Sequence, residues 1–328
     1  MSTSSEAHHP DVLVIGAGVT GLTTAVVLAE AGLDVRVDAA RPPAATTSAA
    51  AGATWDPFLI NPWARVERWA EASLAVFRHL ASEAPESGVR LVRGTHQSST
   101  PAAAPDWALA LGARPCTGTE LRAGYVAGWR FEAPVIDMPR YLDWLAQRLA
   151  RGGGRIRSHV YRSLDEARGQ APVVVNCSGS GAAELVPDPA VIPVRGQVVV
   201  VRRCGLDEFF CDESLHGAEL LYAFPHGDTA VLGGTAEPGA KALTASPATA
   251  AAILRRCTAV LPELRGTEVL GSRVGLRPTR SQVRLEAEPG PHGVLIHNYG
   301  HGGAGVTTSW GCAFEVQRLA SGDGAFCG

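Results

Sequence analysis

The patterned part of the chain opens with four consecutive apolar residues, VLVI at 12–15, which stop at Gly16. A short β-branched run of this kind predicts a buried strand. LTTAVVLAEAG then repeats its apolar positions at helical spacing up to Gly32, and DVRV at 34–37 alternates like a second strand. Together they predict a β-α-β unit with parallel strands and a right-handed crossover. Helical periodicity returns over 65–83, RVERWAEASLAVFRHLASE, and over RYLDWLAQRLA, with Asp137 as N-cap, Pro139 in the first turn and GGG at 152–154 as the stop. Ahead of these two helices, Pro, Ala, Thr and Ser from 41 to 53 predict a loop, and the two prolines of TWDPFLINP exclude a regular helix. PVVVNCSG at 172–179 reads as a buried strand running into glycine.

From 190 to 290 the pattern changes to strands, GQVVVV, ELLYAFP, TAVLGG, GSRVGLRP and SQVRLE, with one helix near 246–261. This predicts a second, mainly antiparallel layer. GVLIHNY at 293–299 returns as a strand and leads through glycines into TSWGCAFEVQRLASG, a helix closed by Gly322. The parallel layer is therefore assembled from separated segments: 1–58, 137–185 and 289–328 are expected to form one domain, and 59–136 with 186–288 the other. A chain of 328 residues is long enough for two such joined domains.

Composition narrows the class. Hydrophobic residues at 46% and charged residues at 19% describe a soluble globular protein rather than a disordered one. The net charge of −3 comes from 29 Lys+Arg and 32 Asp+Glu spread along the chain, so no basic stripe invites nucleic acid or an anionic membrane. No apolar run approaches the ~20 residues of a membrane span. The seven cysteines are scattered without C-x-x-C spacing, which predicts neither a disulfide framework nor a metal site. MSTSSEAHHP lacks the features of a signal peptide and is expected to be a flexible tail, GAFCG matches no peroxisomal or prenylation signal, and the scattered cysteines are expected to be reduced cytoplasmic thiols.

Two glycine clusters carry the chemistry. GAGVTG follows the first strand and opens the first helix, the context in which G-x-G-x-x-G binds a dinucleotide. Gly16 allows the tight turn, Gly18 the approach of a pyrophosphate and Gly21 the packing of helix on sheet. Asp38 stands roughly 20 residues on, where an acid is expected to bond the adenosine ribose. Arg36 and Arg41 nearby read either as grips for a 2′-phosphate or as solvated surface residues. The motif alone does not separate FAD from NAD. The second cluster, HNYGHGGAGVTTSW at 297–310, places Gly300, Gly302, Gly303 and Gly305 beside two histidines and two threonines. His297 and His301 have i, i+4 spacing, but these glycines argue against the helix that a metal pair needs, so packing or hydrogen-bonding roles are expected.

VLIHNYGHGGAGVTTSWGCA closely resembles the C-terminal signature of the D-amino acid oxidase family of FAD enzymes, and VGLRPTRSQVRLE (274–286) resembles that family's substrate-arginine segment. TTSAAAGATWDPF, GWRFEAPVIDMPRYLDWLAQRL, VVNCSG and RGQ agree in order, so the resemblance covers nearly the whole chain. It implies an α/β fold with a Rossmann-like FAD-binding domain of discontinuous segments and a mainly antiparallel substrate domain. It implies that FAD meets Gly16, Gly18, Gly21, Asp38, Arg41, Thr46, Thr47, Gly52, Gly179, Gly302, Gly303, Gly305 and Thr307. Arg277 would hold a substrate carboxylate with a bidentate fork, Tyr222 would donate a second hydrogen bond to it, and the Gly303 carbonyl would accept from the substrate amine. The implied reaction is oxidation of a D-α-amino acid, with hydride transfer from Cα to flavin N5, reoxidation by O₂ to H₂O₂, and hydrolysis of the imino acid to a 2-oxo acid and ammonia. The absence of a Ser-His-Asp or Cys-His motif accords with this. A homodimer is the assembly the resemblance allows.

Departures bear on substrate. The lid CDESLHGAELLY has no second tyrosine, since Ala218 and Glu219 stand near its place, and it offers Asp212, Glu213 and Glu219 where members acting on acidic substrates use arginines. That leans away from D-aspartate. Ala40 stands where the family often has an acid, and Ala304 where it often has a tyrosine, which enlarges the pocket. Three other readings stay open here: a glycine or sarcosine-type amine oxidase, an NADP-linked reductase, and a flavin-binding module without turnover.

Overall fold

The computed structural model describes residues 9–57, 59–203, 205–214 and 217–322. The expectations for both terminal tails, Cys204, Cys327 and lid residues 215 and 216 lie outside them. Strands β1 (Val12–Ile15), β2 (Val35–Ala39), β6 (Arg155–Ser158), β7 (Val173–Asn176) and β14 (Gly293–His301) run parallel in the order β14-β7-β1-β2-β6. All four residues of β1 are buried because both sheet faces are covered. Val12 and Val14 face the core shared with helices α1 (Val19–Glu30), α3 (Trp63–Glu83), α5 (Met138–Arg151) and α8 (Ser309–Ala320). Leu13 and Ile15 face the other way, onto Tyr161, Leu164, Ala167 and Ala171. Strand alternation thus sorts one apolar run into two cores.

The other half of the sheet contains β3 (Val89–Ser98), β4 (Arg114–Pro115), β5 (Ala127–Ile136), β8 (Ile192–Arg202), β9 (Phe209–Asp212), β10 (Glu219–His226), β11 (Thr229–Thr235) and β13 (Val269–Gly290), in the order β4-β5-β3-β9-β10-β11-β8-β13. Every pair is antiparallel except β3 with β9. β12 (Glu237–Pro238) adds to the edge of β8. The helices α2 (Thr47–Ala50), α4 (Asp106–Ala110), α6 (Ala182–Leu185) and α7 (Pro247–Val260) complete the chain, α7 being capped by Ser246, whose Oγ accepts from the Thr249 N–H at 3.2 Å.

Two sequence expectations are corrected here. GSRVGLRP and SQVRLE are not separate strands: β13 runs through both, pairing with β8 over its first half and with β14 over its second. Pro278 faces Pro193 where β13 changes neighbours, so its missing N–H costs the ladder little. The segment from 41 to 53 is not wholly a loop, because a 3-10 turn at Pro43–Ala45 and the one-turn helix α2 lie in it. Helix α2 packs on β13, and Thr47 Oγ1 both donates to the Leu276 carbonyl (3.1 Å) and accepts the Leu276 N–H (3.2 Å). No helix among the described residues is long and apolar enough to cross a membrane.

One close helix approach is testable. A Cβ on Gly311 of α8 would stand 2.3 Å from the Cα and the carbonyl oxygen of Trp69 on α3. We expect Gly311→Ala to push the two helices apart and to cost about 1–3 kcal/mol, as overpacking of a tight core does. Chemical denaturation followed by tryptophan fluorescence measures this, and an unchanged midpoint would contradict the packing.

Candidate active site

The early glycine cluster is shaped by close approach. Gly16 has φ +110°, and a Cβ there would lie 2.5 Å from the Cys177 carbonyl oxygen at the end of β7. A Cβ on Gly21 would lie 1.9 Å from the Gly16 carbonyl oxygen, so α1 seats directly on the turn. Helix α1 begins at Val19 with Gly18 as N-cap and no side-chain cap of its own. The Val19 N–H instead donates to Ser48 Oγ at 3.0 Å, from α2.

The late cluster arrives at the same place. A Cβ on Gly305 would touch Thr20 Oγ1 at 3.9 Å, and the Gly302 N–H donates to the Pro278 carbonyl at 2.9 Å. Gly179 lies against Pro278 as well. The ends of β7 and β14 and the middle of β13 therefore converge on the start of α1, whereas the first turn of α8 has its Gly311 N–H already donated to Ser73 Oγ at 3.0 Å. With the Val19 N–H taken by Ser48, the remaining N–H groups in the first turn of α1 are those an anion would meet, and glycine backbone admits a flat ring. A pyrophosphate joined to an isoalloxazine fits these features.

The other residues expected at the cofactor are placed less uniformly. Thr46 Oγ1 donates to the Pro43 carbonyl at 2.7 Å, and Arg41 is exposed. Thr307 is buried, accepting the Asp56 N–H at 3.1 Å and donating to the Asp56 carbonyl at 2.8 Å. Gly52 packs near the Tyr222 ring. Asp38 is fully buried beside Gly16, whose N–H its carbonyl accepts at 2.9 Å. Its carboxylate accepts from Arg157 at 2.9 and 2.6 Å and from the Tyr161 hydroxyl at 2.6 Å, with Arg36 at 3.3 Å. Burial opposes its ionisation, but the bonds from Arg157 and Tyr161 and the two guanidinium charges outweigh this and hold the carboxyl below the usual range. Both oxygens are committed within the protein.

On the facing wall, Arg277 of β13 lies across Gly196 of β8, where a Cβ would stand 2.4 Å from Nη1, and it donates from Nη1 to the Thr235 carbonyl at 2.9 Å. A Cβ on Gly303 would stand 3.7 Å from Arg277 Cδ, so the exposed Gly303 backbone borders the arginine. Tyr222 of β10 stacks on Phe224 with ring centroids 5.0 Å apart and lies over Gly233, where any Cβ would collide with the ring. Burial pushes the Tyr222 phenol up while Arg277 opposes it, and the group stays a hydroxyl donor. Arg277, Tyr222 and Gly303 are thus brought together. A guanidinium fork beside a phenol hydroxyl is a carboxylate receptor. Ser48, Gly196 and Gly233 at this site were not singled out from sequence; an isolated serine or glycine acquires its role only from the strand or helix lying opposite.

His297 and His301 sit on a strand and are buried. No group of three His, Cys, Asp or Glu arranged for a metal occurs among the described residues.

The sequence model of the DAO family, described as FAD dependent oxidoreductase, matches residues 11–319. A D-amino-acid oxidase of Rubrobacter xylanophilus is 49% identical over 94% of this chain and 95% of its own. A D-amino-acid oxidase of Streptomyces coelicolor is 47% identical over 95% of this chain and 97% of its own. Among solved structures, a glycine oxidase from Bacillus cereus superposes with a TM-score of 0.79 at 22% identity, covering 96% of each chain.

The buried His301 makes stability pH-dependent. Its Nε2 lies 3.6 Å from the Cys312 thiol, and burial pushes its pKa down to about 4. In an unfolded chain imidazole takes up a proton near 6.5, so between these values the unfolded state binds more protons. Stability from this group is complete above pH 6.5 and is lost as pH falls toward 4, by up to about 3 kcal/mol. Denaturation midpoints should fall across that window, and less steeply in His301→Asn; equal slopes in the two proteins would exclude His301 as the source.

Proposed function

Because the chain belongs to the DAO family of FAD-dependent oxidoreductases, we propose that it oxidises D-α-amino acids, yielding a 2-oxo acid, ammonia and, with O₂ as acceptor, H₂O₂. FAD is its cofactor, and the chain is an enzyme of the oxidase type. The observation that carries the substrate class is the Arg277–Tyr222 pair beside the bare Gly303 backbone. The two bacterial relatives carry the names of D-amino-acid oxidases at nearly half identity over almost the full chain, whereas the likeness to a glycine oxidase at 22% identity speaks for the fold alone.

When bound, FAD supplies the acceptor for the hydride of the substrate Cα. The chain's own residues supply position. The turn at Gly16, Gly18 and Gly21, the α1 N-terminus and Thr46 and Thr47 would hold the phosphates and ribityl chain, and Gly302, Gly303, Gly305 and Thr307 the ring; Gly52 and Gly179 line the same cavity. Asp38 would serve the ribose end by holding Arg157 in place rather than through its own oxygens, which are filled. Arg277 binds the substrate carboxylate, Tyr222 donates to it, and the Gly303 carbonyl accepts from the amine, which fixes the face that Cα presents. Such positioning removes the entropic part of the barrier without a protein acid or base. We assign cofactor binding to 1–58, 137–185 and 289–328 and substrate binding to 59–136 and 186–288. A cytoplasmic location agrees with the free thiols of Cys116, Cys177, Cys211, Cys257 and Cys312.

The purified protein should show flavin absorption near ~450 nm that bleaches anaerobically with D-amino acids and not with their L-enantiomers, since the spectrum belongs to the cofactor. Bleaching by both enantiomers, or by neither, counts against the reading. Arg277→Lys keeps the charge but loses the fork, and kcat/KM should drop roughly 10- to 100-fold, the worth of one charged hydrogen bond. Unchanged steady-state kinetics would remove Arg277 from the site.

A further inference from the structure

Beyond Tyr222 the same sheet face carries a row of polar groups that the proposed reaction does not use. His96 pairs with Cys211 across β3 and β9, Cys211 with Tyr222 across β9 and β10, and Tyr222 with Gly233 across β10 and β11. Directly paired residues share a face, so His96, Cys211 and Tyr222 stand in line at about 5 Å per strand. Glu213, two residues past Cys211, brings Oε1 to 2.7 Å from His96 Nδ1. The His96 ring is 1% exposed among Trp107, Trp129, Phe131 and Phe209, at centroid distances of 5.0 to 6.0 Å.

Asp56 completes the group. Its backbone is tied on both sides to Thr307, so it hangs from the late glycine cluster over this face. Asp56 Oδ1 is buried without a hydrogen-bond partner, and so is Nε1 of Trp129, a residue only 4% exposed. Burial pushes the Asp56 carboxyl up to about 6, against the charge of His96 and with that of Glu213. Burial disfavours protonated His96, but Cys211 and Glu213 outweigh it and raise its pKa. The group thus sets two carboxyls, Asp56 and Glu213, beside one imidazole, and Glu213 is the one that lies against it. A buried charge without a donor is costly. The other lid acids are spent elsewhere: Asp212 accepts from the Tyr125 hydroxyl at 2.7 Å and the Ser214 N–H at 2.7 Å, and Glu219 pairs with Arg256 at 3.2 Å.

We infer that Asp56, Glu213 and His96 form the subsite for the substrate side chain and that it selects D-amino acids whose side chains end in hydrogen-bond donors, an ammonium or a carboxamide, over apolar and acidic ones. The inference rests on the proposed function: with the carboxylate held by Arg277 and Tyr222 at one end of the row, a long side chain extends toward the other end. There its donors reach the unpartnered Asp56 Oδ1, and a carboxamide oxygen also answers the Trp129 N–H. A side-chain carboxylate brings a third carboxyl to the group and no donor for Oδ1.

The experiment uses the flavin-loaded enzyme and compares kcat/KM for D-lysine with D-norleucine, which has the same carbon chain without the ammonium, and for D-glutamine with D-glutamate. We expect D-lysine to exceed D-norleucine by about tenfold or more, the worth of one charged hydrogen bond, and D-glutamine to exceed D-glutamate by at least as much. In Asp56→Asn and, as an independent variant, Glu213→Gln, the lysine-to-norleucine ratio should fall toward unity. Parity or a preference for D-norleucine in the unmodified enzyme overturns the inference, as does a ratio that neither variant moves. Turnover of D-amino acids with no such preference leaves the oxidase reading intact, whereas no turnover of any D-amino acid overturns both.

Discussion

The hydrogen-bonded ladder of β13 is the constraint on which the rest depends. One strand, Val269–Gly290, is bonded to β8 through its first half and to β14 through its second. Arg277 lies just before the exchange of neighbours, and Pro278 at it passes its carbonyl to Gly302. Arg277 and the late glycine cluster are thus fixed relative to each other by backbone bonds. Thr47 clamps α2 to the same strand at Leu276, so the segment proposed to meet the cofactor shares the same reference.

Around that strand the site is made mostly of what side chains leave free. Gly196 gives way to the Arg277 guanidinium, Gly233 to the Tyr222 ring and Gly16 to the Cys177 carbonyl. Each glycine costs conformational entropy on folding, and each is offset by an arrangement of partners that a methyl group would forbid. The buried polar groups divide in two. Asp38 is saturated by Arg157 and Tyr161 and acts as a strut. Asp56 keeps an unpartnered Oδ1, which in the proposed reading faces the substrate side chain.

Much of this was legible in the sequence because local chemistry dictated it. The VLVI run, the helical period up to Gly32 and the stop at GGG were read from patterns that depend on neighbours within a turn or two. β3 and β5 were not seen, since VRLVRGTHQS interrupts its alternation with Arg93 and Gly94, and Gly94 is required only because Phe209 of β9 lies against it. The unity of β13 was hidden for a related reason: a proline normally ends a strand, and only the facing Pro193 makes it harmless. Within the site, the early glycine cluster was legible from its strand–turn–helix context, and the roles of Arg277, Tyr222 and the late cluster came by resemblance. His96 and Asp56 were not picked out, because a lone histidine in a strand and an aspartate before a proline gain meaning only from the fold that sets them face to face.

A sheet that runs without interruption from β4 to β6 also governs how the molecule can move. Rotating one half against the other would shear the β13 ladder, in which both halves share a single backbone, so bulk domain opening carries the penalty of many cooperative hydrogen bonds. The sheet behaves as a stiff beam spanning the cavity. Motion is then left to the surface segments at the rim of the sheet rather than to a hinge at its centre.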